Sequence, residues 1–77
     1  MNNKTTKETL EKIYRLGRKI AELRNKQHFT QEKFSEMIDV SREHLAKIET
    51  AKRSVSLDLL ILIAEKLNVK VKDLIDF

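Results

Sequence analysis

Apolar residues recur at intervals of three or four along most of the chain. The first and longest such segment lies between Thr6 and Gln27, and its apolar positions are Leu10, Ile13, Leu16 or Gly17, Ile20 and Leu23. This spacing places one apolar stripe on a helix. No segment shows the sustained alternation that is typical of a strand, so the pattern predicts an all-helical fold.

Gly17 interrupts this first stripe. A glycine inside a helix costs about 1 kcal/mol relative to alanine. It therefore indicates either a close contact with another helix or a weak point in the first one, and the sequence leaves both interpretations open.

The segment 29–53, FTQEKFSEMIDVSREHLAKIETAKR, contains two short helical patterns separated by a few residues. Thr30 and Ser41 stand where each pattern begins, and a hydroxyl oxygen there can accept hydrogen bonds from the free N–H groups of the first turn. The apolar sides are formed by Phe34, Ile38, Leu45 and Ile48. Helices joined this closely cross at a large angle, so we expect a helix-turn-helix element.

Two further helices are predicted after this element. Ser56 can cap the first, and Asn68 favours a left-handed end for it. Its expected core side consists of Leu57, Leu60, Ile63, Ala64 and Leu67. The second is a short helix from about Val71 to Ile75, with Leu74 packed inward.

The composition suits one small helical domain. The chain has 77 residues, no cysteine, no proline and one glycine, so disulfides and thiolate metal sites are excluded. We expect residues 1–5 to be disordered and residues 6–77 to form a single domain. The polar N-terminus does not resemble a signal peptide, and the longest apolar run, Leu59 to Ala64, is too short to span a bilayer. We therefore expect a cytoplasmic protein with no membrane partner.

The formal net charge is +4, and it is unevenly distributed. Residues 1–27 carry eight Lys/Arg against three Glu, residues 28–53 carry five of each sign, and residues 54–77 carry three against four. A basic chain can bind nucleic acid through its phosphates. Solvated basic surfaces are also common, so charge alone leaves the partner open.

Catalytic chemistry has little support in the sequence. His28 and His44 are the only histidines, and neither has metal-ligand spacing with another histidine or a cysteine. No glycine-rich phosphate loop and no nucleophile elbow is present. We expect neither an enzyme nor a cofactor.

From Leu16 to Ile75 the sequence resembles the lambda-repressor-like family of bacterial and phage regulators, also called the Cro/CI or Xre type. The resemblance is carried by LR, TQEKF, VSREHLAKIE and SLDLL in their mutual spacing. It implies a compact, all-α, five-helix DNA-binding domain with the helix-turn-helix as helices two and three. In this family helix three enters the major groove of DNA and helix two crosses the DNA backbone.

The resemblance assigns base contacts to the N-terminal part of the third helix: Ser41, Arg42, Glu43 and Lys47. Side-chain chemistry agrees, because arginine can donate twice to guanine and glutamate can accept from a cytosine amino group. The alternative is an ordinary solvated surface with a Glu43–Lys47 pair, which contributes a few tenths of a kcal/mol.

The resemblance also implies phosphate contacts and one structural ion pair. Gln31 occupies a position that holds a phosphate-binding glutamine in relatives, next to a helix N-terminus that favours anions. Lys52 and Arg53, in the loop after the third helix, are the other phosphate candidates. Arg24 and Glu49 occupy positions that pair between helices one and three. We expect this pair to be partly buried and to lock the third helix to the rest of the domain.

The sequence departs from its relatives at four turn positions where glycine is frequent: His28, Asp39, Ala51 and Asn68. Histidine, aspartate and asparagine enter the left-handed region comparatively readily. Alanine does not, so we expect about 1 kcal/mol of strain or a reshaped loop at Ala51. Lys70 takes the usual cap position of the fifth helix, although its side chain cannot accept a hydrogen bond.

The fourth helix has more leucine and isoleucine than a core stripe requires. Leu59 and Leu62 stand where relatives are commonly polar, and Ile75 and Phe77 can extend the same apolar patch. Scattered exposed leucines are common. A two-fold operator, however, requires a two-fold protein, so we predict a homodimeric transcriptional regulator, most simply a repressor of double-stranded operator DNA. The alternative is an antitoxin-type module that neutralises a partner protein, such as a toxin, and regulates its own gene.

Overall fold

The computed structural model describes residues 6–77, which form five helices and no strand. The helices are α1 (Lys7–Lys26), α2 (Gln31–Met37), α3 (Arg42–Glu49), α4 (Leu57–Leu67) and α5 (Val71–Leu74). The predicted all-α, five-helix fold is confirmed. Residues 1–5, for which we predicted disorder, lie outside the described residues.

Hydroxyl side chains begin the first four helices. The oxygens of Thr6, Thr30, Ser41 and Ser56 each accept a hydrogen bond from the backbone N–H three residues later, at 2.9–3.3 Å. The Ser56 side chain and the backbone N–H groups of Asp58 and Leu59 also hold the pKa of the Asp58 carboxyl below its ordinary value of 3.8. As expected, Lys70 provides no such cap for α5. Instead, the Asp73 carboxylate accepts from the Lys70 backbone N–H at 2.9 Å.

Four helices end in a left-handed residue, and none of these residues is glycine. Their φ angles are 64° at His28, 57° at Asp39, 61° at Ala51 and 59° at Asn68. In each case the next backbone N–H bonds to a carbonyl five residues earlier, at 2.8–3.1 Å. These bonds satisfy helix-end carbonyls that would otherwise be free.

The core is formed where α1, α2, α3, α4 and α5 meet. Its members are Ile20, Phe34, Ile38, Leu45, Ile48, Leu60, Ile63, Ala64, Leu67 and Leu74. Leu57, which we assigned to the core side of α4, lies outside the core and is 71% exposed, and Leu10 of the apolar stripe of α1 is 52% exposed. The core prediction was wrong for Leu57 because it occupies the first turn of α4, outside the segment that neighbouring helices cover.

Gly17 marks the place where α1 crosses α3. A Cβ atom on this residue would lie 2.5 Å from the carbonyl oxygen of Ile48 and 2.9 Å from that of Glu49. Only a residue without a side chain allows this approach. Of the two interpretations left open by the sequence, the close helix contact is correct.

Candidate nucleic-acid interface

Helices α2 and α3 are joined by a turn that begins at Ile38. Ile38 is buried, the left-handed Asp39 reverses the chain, and the Val40 N–H donates to the Ser35 carbonyl at 3.0 Å. Phe34 of α2 and Leu45 of α3 are both fully buried. The two helices are therefore held at a fixed angle, with the apolar side of α3 facing the core.

This packing leaves the N-terminal edge of α3 in solvent. Ser41, Arg42 and Glu43 are exposed, whereas Ile48 and Glu49 at the other end of the helix are buried. The Ser41 hydroxyl accepts from the His44 N–H at 3.0 Å, so it serves the cap. Arg42 has no ion-pair partner within residues 6–77. Its guanidinium is available to an external acceptor.

Lys47 lies one turn further along α3 and is half-exposed. Its ammonium group is 4.0 Å from the Glu43 carboxylate, at the limit for an ion pair. Exposed pairs of this kind contribute little. The solvated pair that we gave as the alternative to base contact therefore exists, but it is weak enough to open for another ligand.

Arg24 and Glu49 form a buried ion pair between α1 and α3. The Arg24 Nε donates to Glu49 Oε2 at 2.7 Å, and Nη2 donates to Oε1 at 3.1 Å. The third nitrogen, Nη1, donates to the Phe29 carbonyl at 2.7 Å. Two parallel hydrogen bonds of this type fix both partners geometrically. The C-terminal end of α3 is thereby tied to α1 and to the link before α2.

Gln31 is the first residue of α2, and its side chain joins this network. Its Nε2 donates to Glu49 Oε1 at 2.9 Å. From the sequence we predicted only a phosphate contact for Gln31, and this bond was not predicted. No local pattern marks it, because Gln31 and Glu49 are 18 residues apart.

Lys52 and Arg53 follow α3 in the exposed loop that leads to α4. Their backbone N–H groups donate to the Lys47 carbonyl at 2.8 and 3.3 Å, so the loop is folded back onto the end of α3. Neither side chain forms an ion pair within the part of the chain that the structure describes. Two free cations thus lie beyond one end of α3, and Arg42 lies at the other.

The two predicted dimer residues on α4 are less exposed than a neighbouring apolar pair. Leu59 and Leu62 are only partly exposed because they pack against the core. The more exposed pair is Leu57 and Ile61, which are 71% and 42% exposed and lie one turn apart. We had assigned Leu57 to the core and had not singled out Ile61, although their (i, i+4) spacing could have indicated a shared face.

The other two predicted dimer residues lie at the C-terminus. Ile75 is 39% exposed and Phe77 is 45% exposed. The Arg15 guanidinium lies over the Phe77 ring, 5.7 Å from its centroid. This contact brings the end of the chain against α1.

Other kinds of site find no support between residues 6 and 77. There, no three His, Asp or Glu side chains lie together in a group that could hold a metal ion. None of the helices in that range has both the length and the apolar character needed to cross a membrane.

A five-helix domain of this kind, with a capped second helix and an exposed edge on the third, has the architecture of a helix-turn-helix DNA-binding protein. The helix-turn-helix family model matches residues 20–74. The chain belongs to this family, and within it to the Cro/CI or Xre type.

Solved structures of regulators share the fold. The restriction-modification controller protein C.AhdI from Aeromonas hydrophila superposes with a TM-score of 0.79 and 23% identity, covering 83% of this chain and 97% of that one. The clp gene regulator ClgR from Corynebacterium glutamicum superposes with a TM-score of 0.81 and 25% identity, covering 84% and 83%.

A curated relative is the antitoxin PezA from Streptococcus pneumoniae. It is 33% identical over 60 residues, which make up 78% of this chain. The chain spans only 38% of the length of PezA.

Proposed function

We propose that this protein is a sequence-specific transcriptional regulator that binds double-stranded DNA as a homodimer on a two-fold operator, in the cytoplasm, and represses by occupying a promoter. The observation that carries the proposal is the exposed N-terminal edge of α3, held on a scaffold that is otherwise packed and hydrogen-bonded. A recognition helix needs such an edge, because its first residues meet the base edges in the major groove.

Base readout is assigned to Arg42 and Glu43, with Lys47 as an additional contact. Arg42 has no ion-pair partner in residues 6–77, and its fork of donors matches guanine O6 and N7. Glu43 can accept from a cytosine amino group. Ser41 contributes through the helix cap, and its backbone lies where a phosphate can approach.

Phosphate contacts are assigned to Gln31, Lys52 and Arg53. Gln31 stands at the N-terminus of α2, and the two cations stand beyond the C-terminus of α3. Gln31 also contacts Glu49, the last residue of α3, so all three candidates lie near the C-terminal end of this helix. Phosphate contacts there would fix the register of the helix on the duplex but carry no sequence information. A neutral amide and two cations contribute differently, since only the cations release counterions.

Selection from random-sequence duplex DNA at a stated salt concentration tests the proposal as a whole. We expect a palindrome with half-sites about one helical turn apart, roughly 34–36 Å. Recovery of no preferred sequence would overturn the proposal of sequence-specific binding.

Arg42→Ala tests base readout. We expect it to cost about 1–3 kcal/mol of specific binding and to flatten the base preference at one position of the selected site. Arg18→Ala, which removes an exposed arginine of α1, is the matched control and should leave the preference unchanged. If Arg42→Ala keeps the full preference for the selected site over random DNA, the assignment of Arg42 is wrong.

Lys52→Ala tests phosphate contact. We expect it to weaken binding to selected and random duplexes by similar factors and to reduce the salt dependence by about one contact. Lys12→Ala changes the net charge equally, on an exposed part of α1, and should leave the salt slope nearly unchanged. A loss confined to the selected sequence would instead assign Lys52 to base readout.

A second candidate function is an antitoxin-type module that binds a partner protein and regulates its own gene. The similarity to the antitoxin PezA favours it, and the exposed Leu57 and Ile61 provide an apolar surface for a partner. Co-expression with the product of a neighbouring small gene, followed by size-exclusion chromatography, tests it. Co-elution together with relief of toxicity would support this function, and separate elution would count against it.

A further inference from the structure

We propose that Glu49 is a positioning residue for DNA binding. Its buried carboxylate holds the side-chain amide of Gln31 so that one Nε2 hydrogen stays directed to Glu49 and the other is left for a phosphate oxygen. The inference rests on the proposed DNA-binding function and on the assignment of Gln31 to a phosphate. The new element is that the buried Arg24–Glu49 ion pair determines the orientation of the Gln31 amide at the surface.

The carboxylate of Glu49 is fixed on both of its oxygens. Oε2 accepts from Arg24 Nε at 2.7 Å, while Oε1 accepts from Arg24 Nη2 at 3.1 Å and from Gln31 Nε2 at 2.9 Å. Its side chain is only 4% exposed. Rotation of the carboxylate would break the bidentate pair, so Oε1 remains in place as the acceptor for Gln31.

Arg24 is fixed in turn by the chain that leads into α2. Its Nη1 donates to the Phe29 carbonyl at 2.7 Å and lies 3.3 Å from Asn25 Oδ1. Phe29 immediately precedes the Thr30 cap, and Gln31 follows it. The backbone that carries Gln31 and the carboxylate that binds its amide are therefore held by the same guanidinium.

The chemistry of the two acceptors decides which way the amide points. An ionised carboxylate only accepts hydrogen bonds, so it binds the NH₂ end of a glutamine amide and not the carbonyl end. A phosphate also only accepts. One Nε2 group has two hydrogens and can serve both acceptors together. An amide without Glu49 could turn its carbonyl oxygen toward the phosphate, where the two oxygens would repel each other.

A contact from a neutral amide has a signature that separates it from the cations. Losing it should weaken binding to every duplex by a similar factor and leave the salt slope unchanged, because no counterion is released. Losing Lys52 should change the slope. The two kinds of phosphate contact can therefore be told apart in one titration series.

A double-mutant cycle tests the proposal. Gln31→Met is made in the native protein and in the variant Arg24→Met/Glu49→Met, which keeps the net charge and replaces a buried ion pair by apolar side chains. In the native background we expect Gln31→Met to weaken binding about tenfold, as for one hydrogen bond to a charged acceptor. In the apolar background we expect Gln31→Met to weaken DNA binding about twofold or less, since an amide that Glu49 does not bind contributes little.

The control background is Lys19→Met/Glu22→Met, which removes an exposed ion pair of α1 at 3.5 Å and also keeps the net charge. In this background, Gln31→Met should again weaken DNA binding about tenfold. Equal losses in all three backgrounds would overturn the positioning role of Glu49. Failure of the native protein to bind either the selected duplex or a scrambled duplex of equal length would overturn the proposed function instead.

Nuclear magnetic resonance of the native protein tests the same point without the apolar variant, which could fail to fold. We expect one of the two Nε2 hydrogens of Gln31, the one that donates to Glu49, to be protected from exchange with solvent before DNA is added. On addition of the duplex, the hydrogen not bound to Glu49 should shift most. Two Nε2 hydrogens that exchange with solvent equally fast, or signals that do not respond to DNA, would overturn the proposal.

Discussion

Ala51 is the residue with the least favourable backbone. Its φ of 61° places an alanine in the left-handed region, where its Cβ approaches the following carbonyl oxygen. His28, Asp39 and Asn68 adopt similar angles, but asparagine, aspartate and histidine are enriched there. The hydrogen bond from the Lys52 N–H to the Lys47 carbonyl, at 2.8 Å, holds Ala51 in this conformation. The structure therefore places Ala51 in the strained left-handed conformation, which is the first of the two outcomes that we expected.

Ala51→Gly should stabilise the protein. Relief of the left-handed strain is partly offset by the greater freedom of glycine in the unfolded chain, so we expect a net gain of about 0.5–1 kcal/mol. Urea denaturation measures it. Ala46→Gly in the interior of α3 is the matched control and should destabilise by about 1 kcal/mol. Loss of stability in both variants would show that Ala51 is not strained.

At this scale, the features that depend on one residue and its neighbours could be predicted. Thr30, Ser41 and Ser56 cap helices because a hydroxyl oxygen just before a helical pattern can accept a hydrogen bond from the backbone of the first turn. Asn68 ends α4 for an equally local reason. The bond between Gln31 and Glu49 could not be predicted, because it exists only once α2 and α3 have been packed together.

At the scale of the helices, the contact between α1 and α3 positions α3. Gly17 lets the backbone of α1 approach the carbonyls of Ile48 and Glu49, and the Arg24–Glu49 pair fixes the same end of α3 from one side. The opposite end of α3 carries the exposed edge. A change at Gly17 that displaces this end of α3 should therefore also move Arg42 at the other end.

Gly17→Ala should destabilise the protein although alanine is the better helix former. The new methyl group would lie 2.5 Å from a backbone oxygen, so the helices must separate. Overpacking of this kind costs about 1–3 kcal/mol, against a gain of about 1 kcal/mol in helix propensity. Thermal unfolding measures the change, with Lys12→Ala on the exposed side of α1 as the control. An increase in stability on Gly17→Ala would show that the helices do not approach this closely.

The helical period predicted each element but not how far along it the core extends. Leu57 and Leu10 continue the apolar stripes of α4 and α1, yet both are exposed in the first turns of their helices. Periodicity reports which side of a helix is apolar, whereas coverage depends on the length and crossing point of the neighbouring helix.

At the scale of the whole molecule, the helix-turn-helix segment has a balanced composition but an unbalanced set of exposed charges. Residues 28–53 contain five cations and five anions. One of the anions, Glu49, is buried and paired with Arg24 from α1, so it contributes little to the surface. Arg42, Lys52 and Arg53 remain exposed. The surface of the segment therefore has an excess of cations over anions, which suits the DNA binding that we propose.

The proposed homodimer concerns the whole molecule, and residues 6–77 offer two exposed apolar pairs with the same (i, i+4) spacing. One is Leu57 and Ile61 on α4, and the other is Leu10 and Tyr14 on α1. Our proposal places the dimer contact on α4. Two substitutions of equal charge can distinguish the surfaces, and glutamate at Leu57 also suits the first turn of a helix.

Leu57→Glu/Ile61→Glu should raise the dimer dissociation constant about tenfold or more, because four carboxylates would be brought together in a two-fold contact. Leu10→Glu/Tyr14→Glu should leave it unchanged. Sedimentation velocity up to high micromolar protein measures both, and DNA titration should show that the α4 variant binds single half-sites without cooperativity. A native protein that stays monomeric throughout this range would contradict the homodimer itself. Dissociation caused only by the α1 variant would move the contact to α1.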